Sequence, residues 1–195
     1  MLPKSAESWE QRYASGNFSG YGSRGHLAEY KAEYINRQLG YLKITSATEL
    51  GCGDGYQLKL LRCPTYVGLD VSATIVERCN KLFAKDTSKS FVKYVPGDTD
   101  VAPYRSELAL SLDVIYHVAE DWAYEQYLLD LFSMASKFVI IYGIDNDGDK
   151  RRIDWKSRKF SKWIEHNKPG WELIAMEKQP YPNDSDADFY MWRLK

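Results

Sequence analysis

Cysteine is scarce in this chain of 195 residues: Cys52, Cys63 and Cys79 are odd in number, and no two stand as C-x-x-C. A disulfide framework and a structural zinc are therefore not expected, and a reducing cytoplasm is. An excess of one charge is missing too. Lys and Arg number 26 against 27 Asp and Glu, a formal net charge of −1, which leaves no overall field to draw in nucleic acid or an anionic membrane surface. No apolar run approaches a membrane span, and the opening MLPKSAESWEQR lacks the basic-then-apolar order of a secretion signal. Internal repeats and low-complexity linkers are absent. What is present, 44% hydrophobic residues, suffices for one domain with a sizeable core spanning residues 1–195. Nothing in the composition bears on oligomeric state.

Along the chain, short apolar runs alternate with helical patterns. A polar amphipathic helix is expected from about His26 to Leu42. Strands are expected at Ala47–Leu50, Tyr66–Val71, Phe91–Val95, Leu108–Ile115 and Phe138–Tyr142. Helices are expected at Tyr56–Leu61, stopped by Pro64, at ATIVERCNKLFAK behind the N-cap Ser72, and at DWAYEQYLLDLFSMA. Near-continuously apolar strands separated by helices imply a parallel sheet covered on both faces. The tail breaks the alternation. After a helix around Phe160–His166, WELIAMEK and DFYMWRLK follow with only a turn between them, which predicts an antiparallel pair finishing the sheet.

Two glycine clusters compete for a nucleotide turn. Gly20–Gly25 matches G-x-G-x-x-G letter for letter, but ESWEQRYASGNF before it has no strand pattern. The cluster Gly51, Cys52, Gly53, Asp54, Gly55 follows the strand TEL and precedes YQLKLL, so it meets the strand–turn–helix condition. Asp70 ends the next strand, where a carboxylate can accept both hydroxyls of a ribose. Asp98, with Thr99 beside it, ends the third and is placed to accept from an adenine amino group. Either acid could instead serve only as a helix cap.

ELGCGDG, VGLDVS, PGD and LALSLDVIYHV resemble the successive motifs of the class I S-adenosylmethionine-dependent methyltransferases, over roughly Thr48 to Gly143. The resemblance implies an α/β fold with a seven-stranded, mostly parallel sheet, helices on both faces and the last strand antiparallel. It implies residues 43–195 as a Rossmann-like core and residues 1–42 as an N-terminal lid and helix segment. It also implies S-adenosylmethionine as cofactor. Glu49 and the backbone of Gly51–Gly55 would hold the methionine part, Asp70 the ribose, Val71 and Asp98 with Thr99 the adenine. Asp113 would line the methyl-donor end. A nicotinamide dehydrogenase also uses a glycine turn and a ribose acid, yet Glu49 suits an ammonium and opposes a pyrophosphate.

The acceptor is narrowed mainly by absences. No Asn/Asp-Pro-Pro-aromatic sequence and no Pro-Cys pair occurs, so two familiar nucleic-acid chemistries have no motif here. His117 is the candidate general base for a hydroxyl acceptor, with a structural role as its competitor; His26 and His166 rank below it. DNDGD fails as a calcium loop, because its glycine falls too early and Lys156 stands where the closing glutamate belongs. No metal site is expected.

The basic segment from Lys150 to Lys162, interleaved with Trp155, Phe160 and Trp163, can be read as an anion-binding site, a single-strand contact or a solvated helix face. Tyr21, Tyr116, Tyr142, Arg152 and Arg158 are the substrate-side candidates. Tyr13, Ser19, Tyr21 and Arg24 would reach down from a glycine-hinged lid, with Arg24 meeting the methionine carboxylate. The expected activity is methyl transfer to a small-molecule or glycan-type acceptor on oxygen. Action on nucleic acid or protein, or cofactor binding without catalysis, are the alternatives.

Overall fold

The computed structural model describes residues 3–148 and 155–195. Its elements run α1 (Lys4–Ala14), α2 (Gly25–Leu42), β1 (Ser46–Leu50), β2 (Thr65–Asp70), α3 (Ala73–Leu82), β3 (Lys89–Lys93), β4 (Ser106–Leu112), α4 (Asp121–Ser133), β5 (Ala135–Gly143), α5 (Phe160–Asn167), β6 (Trp171–Glu177) and β7 (Asp188–Leu194). The strands form one seven-stranded sheet in the order β3-β2-β1-β4-β5-β7-β6. Strands β1 to β5 pair in parallel, and β7 inserts antiparallel between β5 and β6. The expected α/β sheet with its reversed final strand is what the chain forms.

Period-two alternation explains the layers. On β5, Ile140 and Tyr142 join Leu108 and Leu110 of β4 and Ile35 and Leu39 of α2 in one buried cluster. Val139 and Ile141 point the other way, with Ala109, Leu128 and Leu131 of α4 and Phe160 and Ile164 of α5. The central strands β4 and β5 thus fill a core on both faces, as near-continuous apolar strands require. Fully burying one such aliphatic side chain contributes about 1.5–3 kcal/mol.

Three elements differ from the sequence expectation. The helix expected at Tyr56–Leu61 is a single 3₁₀ turn, Gln57–Leu60. Its ends are taken by α2: Asn36 Nδ2 donates to Leu60 O at 2.9 Å, and Arg62 N donates to Asn36 Oδ1 at 2.7 Å. The chain is already extended at Leu61, as it must be to re-enter the sheet at Thr65. The fourth strand ends at Leu112, because Asp113 adopts φ +60° and turns the backbone out of the ladder. And the polar leader contains a helix, α1, where no element was expected.

The chain leaves β1 toward β2 and β3 on one side and returns to β4 on the other. The crevice at the carboxyl ends of β1 and β4, where strand order reverses, is where open α/β sheets bind ligands.

Candidate active site

At that crevice the glycine turn is pinned to β2: Gly51 N and Cys52 N both donate to Leu69 O, at 2.7 and 3.0 Å. Gly51 (φ +85°) and Gly53 (φ +58°) sit in the left-handed region. A Cβ at Gly51 would lie 2.5 Å from Val114 Cγ2, and one at Gly53 2.4 Å from Ser19 Oγ. Glycine is therefore required twice over, by conformation and by space.

Asp70 is buried, with Gly53 N donating to Oδ2 at 2.9 Å and Ser72 N to Oδ1 at 3.0 Å. Burial pushes its carboxyl up to about 6, against the pull of those two amides. Glu49 is buried as well and accepts from Tyr66 OH at 2.5 Å; burial pushes it up to about 7. Both folded values lie above the ordinary values of 4.5 for Glu49 and 3.8 for Asp70. In that window the folded state therefore holds more protons than the unfolded one. Their contribution to stability is fully present below those ordinary values and is lost as pH rises toward 7, at most about 1.4 kcal/mol per pH unit for each group. Glu49→Gln should accordingly gain stability over wild type as pH rises from 5 to 7.5 in urea titrations. A wild-type-minus-variant difference that ignores pH would contradict this.

The N-terminal segment roofs the crevice. Glu10 of α1 accepts from Ser72 Oγ and Thr74 Oγ1, each at 2.5 Å, at the entry of α3. Ser5 Oγ donates to Glu120 Oε2, at the entry of α4, at 2.6 Å. Helix α1 thereby bridges the two sides. The stretch after it is latched to the glycine turn: Ser19 N donates to Asp54 Oδ2 and Asp54 N to Ser19 Oγ, both at 2.9 Å. Arg24 closes the latch, its Nη2 lying 2.6 Å from Asp54 Oδ2 and its guanidinium 4.2 Å from the Tyr56 ring centroid.

Roof and crevice enclose a cavity of about 730 Å³. Among the expected residues, Tyr21, Glu49, Gly51, Cys52, Gly53, Asp54, Asp70, Val71, Asp113, Tyr116 and His117 line it. The His117 ring meets Trp9 of α1 edge-on at 5.1 Å. Others lie elsewhere. Gly55 (φ +73°) completes the turn facing Phe83. Asp98 is exposed, and Thr99 spends its hydroxyl on Val95 N at 2.7 Å, leaving Tyr94 and Pro96 as the wall there. Arg24 is held by Asp54 rather than facing the cavity. Tyr142 is buried and lies beneath Lys31, its ring 5.3 Å from Nζ. Arg158 is drawn to α4, where its Nη2 lies 2.8 Å from Asp121 and donates to Ala119 O at 2.6 Å. Arg152 lies outside the described residues.

Lys31 and Gln57 are among the cavity residues that escaped the sequence reading. Lys31 is 1% exposed and its Nζ sits 2.5 Å from Asp113 Oδ2, while Tyr116 OH donates to Asp113 Oδ1 at 2.8 Å. The signal was there: Lys31 falls in the apolar stripe of α2 with Ala28, Ala32 and Ile35, and a lysine on such a stripe needs a partner. Gln57 donates from Nε2 to Ala28 O at 2.8 Å, but its buried Oε1 has no partner. Nothing in the sequence marked it.

Residues 48–130 match the family of methyltransferase domains. Over this stretch the chain carries a methyltransferase domain. No curated protein sequence matches it. Solved methyltransferase structures share its fold over nearly full length. Magnesium protoporphyrin IX methyltransferase from Synechocystis PCC 6803, with bound cofactor, is 12% identical with a TM-score of 0.68, covering 98% of this chain and 97% of its own. The N-methyltransferase NodS from Bradyrhizobium japonicum WM9, with S-adenosylhomocysteine, is 14% identical with a TM-score of 0.67, covering 98% of each chain. The methyltransferase domain of a bacterial Hen1 is 17% identical with a TM-score of 0.65, covering 87% and 99%. Among the described residues of this chain no cluster of His, Cys, Asp and Glu could hold a metal ion, and no helix is long and apolar enough to cross a membrane.

Proposed function

We propose that the roofed cavity holds S-adenosylmethionine and that the methyltransferase passes its methyl group to a hydroxyl of a small-molecule or glycan-type acceptor. The observation that carries the acceptor's size is the roof: α1 and the Ser19–Asp54–Arg24 latch leave chambers, not an open basic groove for a polymer.

The donor set suits a zwitterionic methionine end. Gln57 Oε1, buried without a donor, and Glu49 accept from an ammonium. Lys31 Nζ, which lines the cavity, takes the carboxylate through a donor it does not give to Asp113, in place of Arg24, which does not line the cavity. Asp70 uses its remaining lone pairs for the ribose hydroxyls, and Val71 packs on the adenine. Residues 1–42 act as the lid, opening at the latch. When bound, S-adenosylmethionine would supply an electrophilic methyl carbon on a sulfonium sulfur, which would leave in line as the neutral thioether of S-adenosylhomocysteine. The chain's part is to align the acceptor oxygen and to hold its proton, the latter on His117.

His117→Ala should keep S-adenosylhomocysteine affinity within about twofold and lose about 10²–10⁴ in turnover, the usual span for a general base. Full turnover in that variant would leave His117 a packing residue against Trp9. A radiolabel-transfer screen against sugars, nucleotide sugars, RNA and protein tests the acceptor. Transfer to sugars that is insensitive to salt supports the proposal; transfer to RNA that falls steeply with salt refutes it.

A further inference from the structure

A second cavity, of about 310 Å³, adjoins the first. Gly22, Asp113, Tyr116 and Asp184 line both, so a molecule in the smaller chamber reaches the larger one past the carboxylate that ends β4. The threshold is narrow: a Cβ at Gly22 would sit 3.0 Å from Asp113 Oδ2. The walls beyond it are Tyr116 and Trp155, with ring centroids 5.8 Å apart, and the turn bearing Asp184 and Asp186.

Among the described residues, each charged side chain of this wall is a carboxylate. Among the described residues of the basic segment, two cations are committed elsewhere: Lys156 Nζ lies 2.5 Å from Asp121, and Arg158 spans Asp121, Val118 O and Ala119 O. Asp113 has its own counter-charge in Lys31. Asp184 lies 3.1 Å from the half-exposed His26.

We propose that this smaller cavity is the acceptor chamber and that it selects a hydroxylated small molecule carrying an amine. The inference rests on the methyl-transfer assignment of the larger cavity. Carboxylates beside aromatic faces are the surroundings an ammonium prefers over water, and they repel a phosphate or carboxylate. The amine docks between the aromatic wall and the Asp184–Asp186 turn. The hydroxyl then crosses Gly22 toward Asp113 and Tyr116, the walls common to both chambers.

Saturation-transfer NMR on the full chain, saturated with S-adenosylhomocysteine, compares glucosamine, glucose and glucose 6-phosphate as probes. Glucosamine should bind about tenfold or more tightly than glucose, a ratio equal to about 1.4 kcal/mol, with the phosphate weakest. Asp186→Asn should reduce that preference to about threefold or less, as loss of one charge-assisted contact would. Strongest binding by the phosphate, no binding of glucosamine, or an unchanged preference in the variant would each overturn the inference. Calorimetry of S-adenosylhomocysteine alone reports separately on the larger cavity, so failure of the underlying assignment is told apart from failure of this one.

Discussion

Replacing Asp70 with alanine is expected to weaken S-adenosylhomocysteine binding by at least about tenfold while the chain remains folded, since each lost charge-assisted hydrogen bond is worth about 1.5–3 kcal/mol. The carboxylate has two duties. Toward the protein it accepts Gly53 N and Ser72 N, which ties the glycine turn to the entry of α3. Toward the ligand, we propose, its free lone pairs meet the ribose. The fold survives the change because Ser72 still caps α3 by accepting from Ile75 N, and because a buried carboxylate held up near 6 is itself costly to keep ionised. Asp70→Asn separates the duties, keeping one acceptor oxygen and falling between alanine and wild type. Calorimetry with a thermal melt on each variant decides it: a folded Asp70→Ala protein with unchanged affinity would remove Asp70 from the cofactor site.

The second large effect is on stability. Lys31→Met should cost about 3 kcal/mol, at the lower end of the 3–5 seen when one partner of a buried pair is removed. The lower end applies because the Asp113 side chain is 19% exposed and keeps Tyr116 as donor. Methionine fills the apolar stripe of α2, so packing loss stays small and the deficit reports the stranded carboxylate. Adding Asp113→Asn to Lys31→Met should therefore recover part of the loss, a non-additivity that urea titrations resolve. Equal stability of Lys31→Met and wild type would show that the pair holds nothing together.

The parallel sheet, its reversed last strand and the glycine turn were legible because they rest on local rules: apolar alternation, the Ser72 cap, and glycine where φ must be positive. The roof was half legible. Gly20–Gly25 could be rejected as a nucleotide turn and assigned to a lid, but α1 escaped because its polar sequence KSAESWEQRYA shows little apolar face. What holds it is Glu10 on α3 and Ser5 on Glu120, partners 62 to 115 residues away in sequence. The same distance hid Gln57, whose neighbour is Ala28 O, and misplaced Arg24, whose partner Asp54 was read as facing the cofactor. Arg158 looked substrate-directed in the basic segment until Asp121 claimed it. Local pattern shows which residues carry charge; only the fold shows which charges are already paired.

Titrating the wild-type chain calorimetrically with S-adenosylhomocysteine at pH 7.5, with NAD as the parallel ligand, tests the central claim most directly. The geometry of Glu49, Gln57, Asp70 and Lys31 predicts one site per chain for S-adenosylhomocysteine and no heat with NAD. Absence of S-adenosylhomocysteine binding, or saturable binding of NAD in its place, would contradict it.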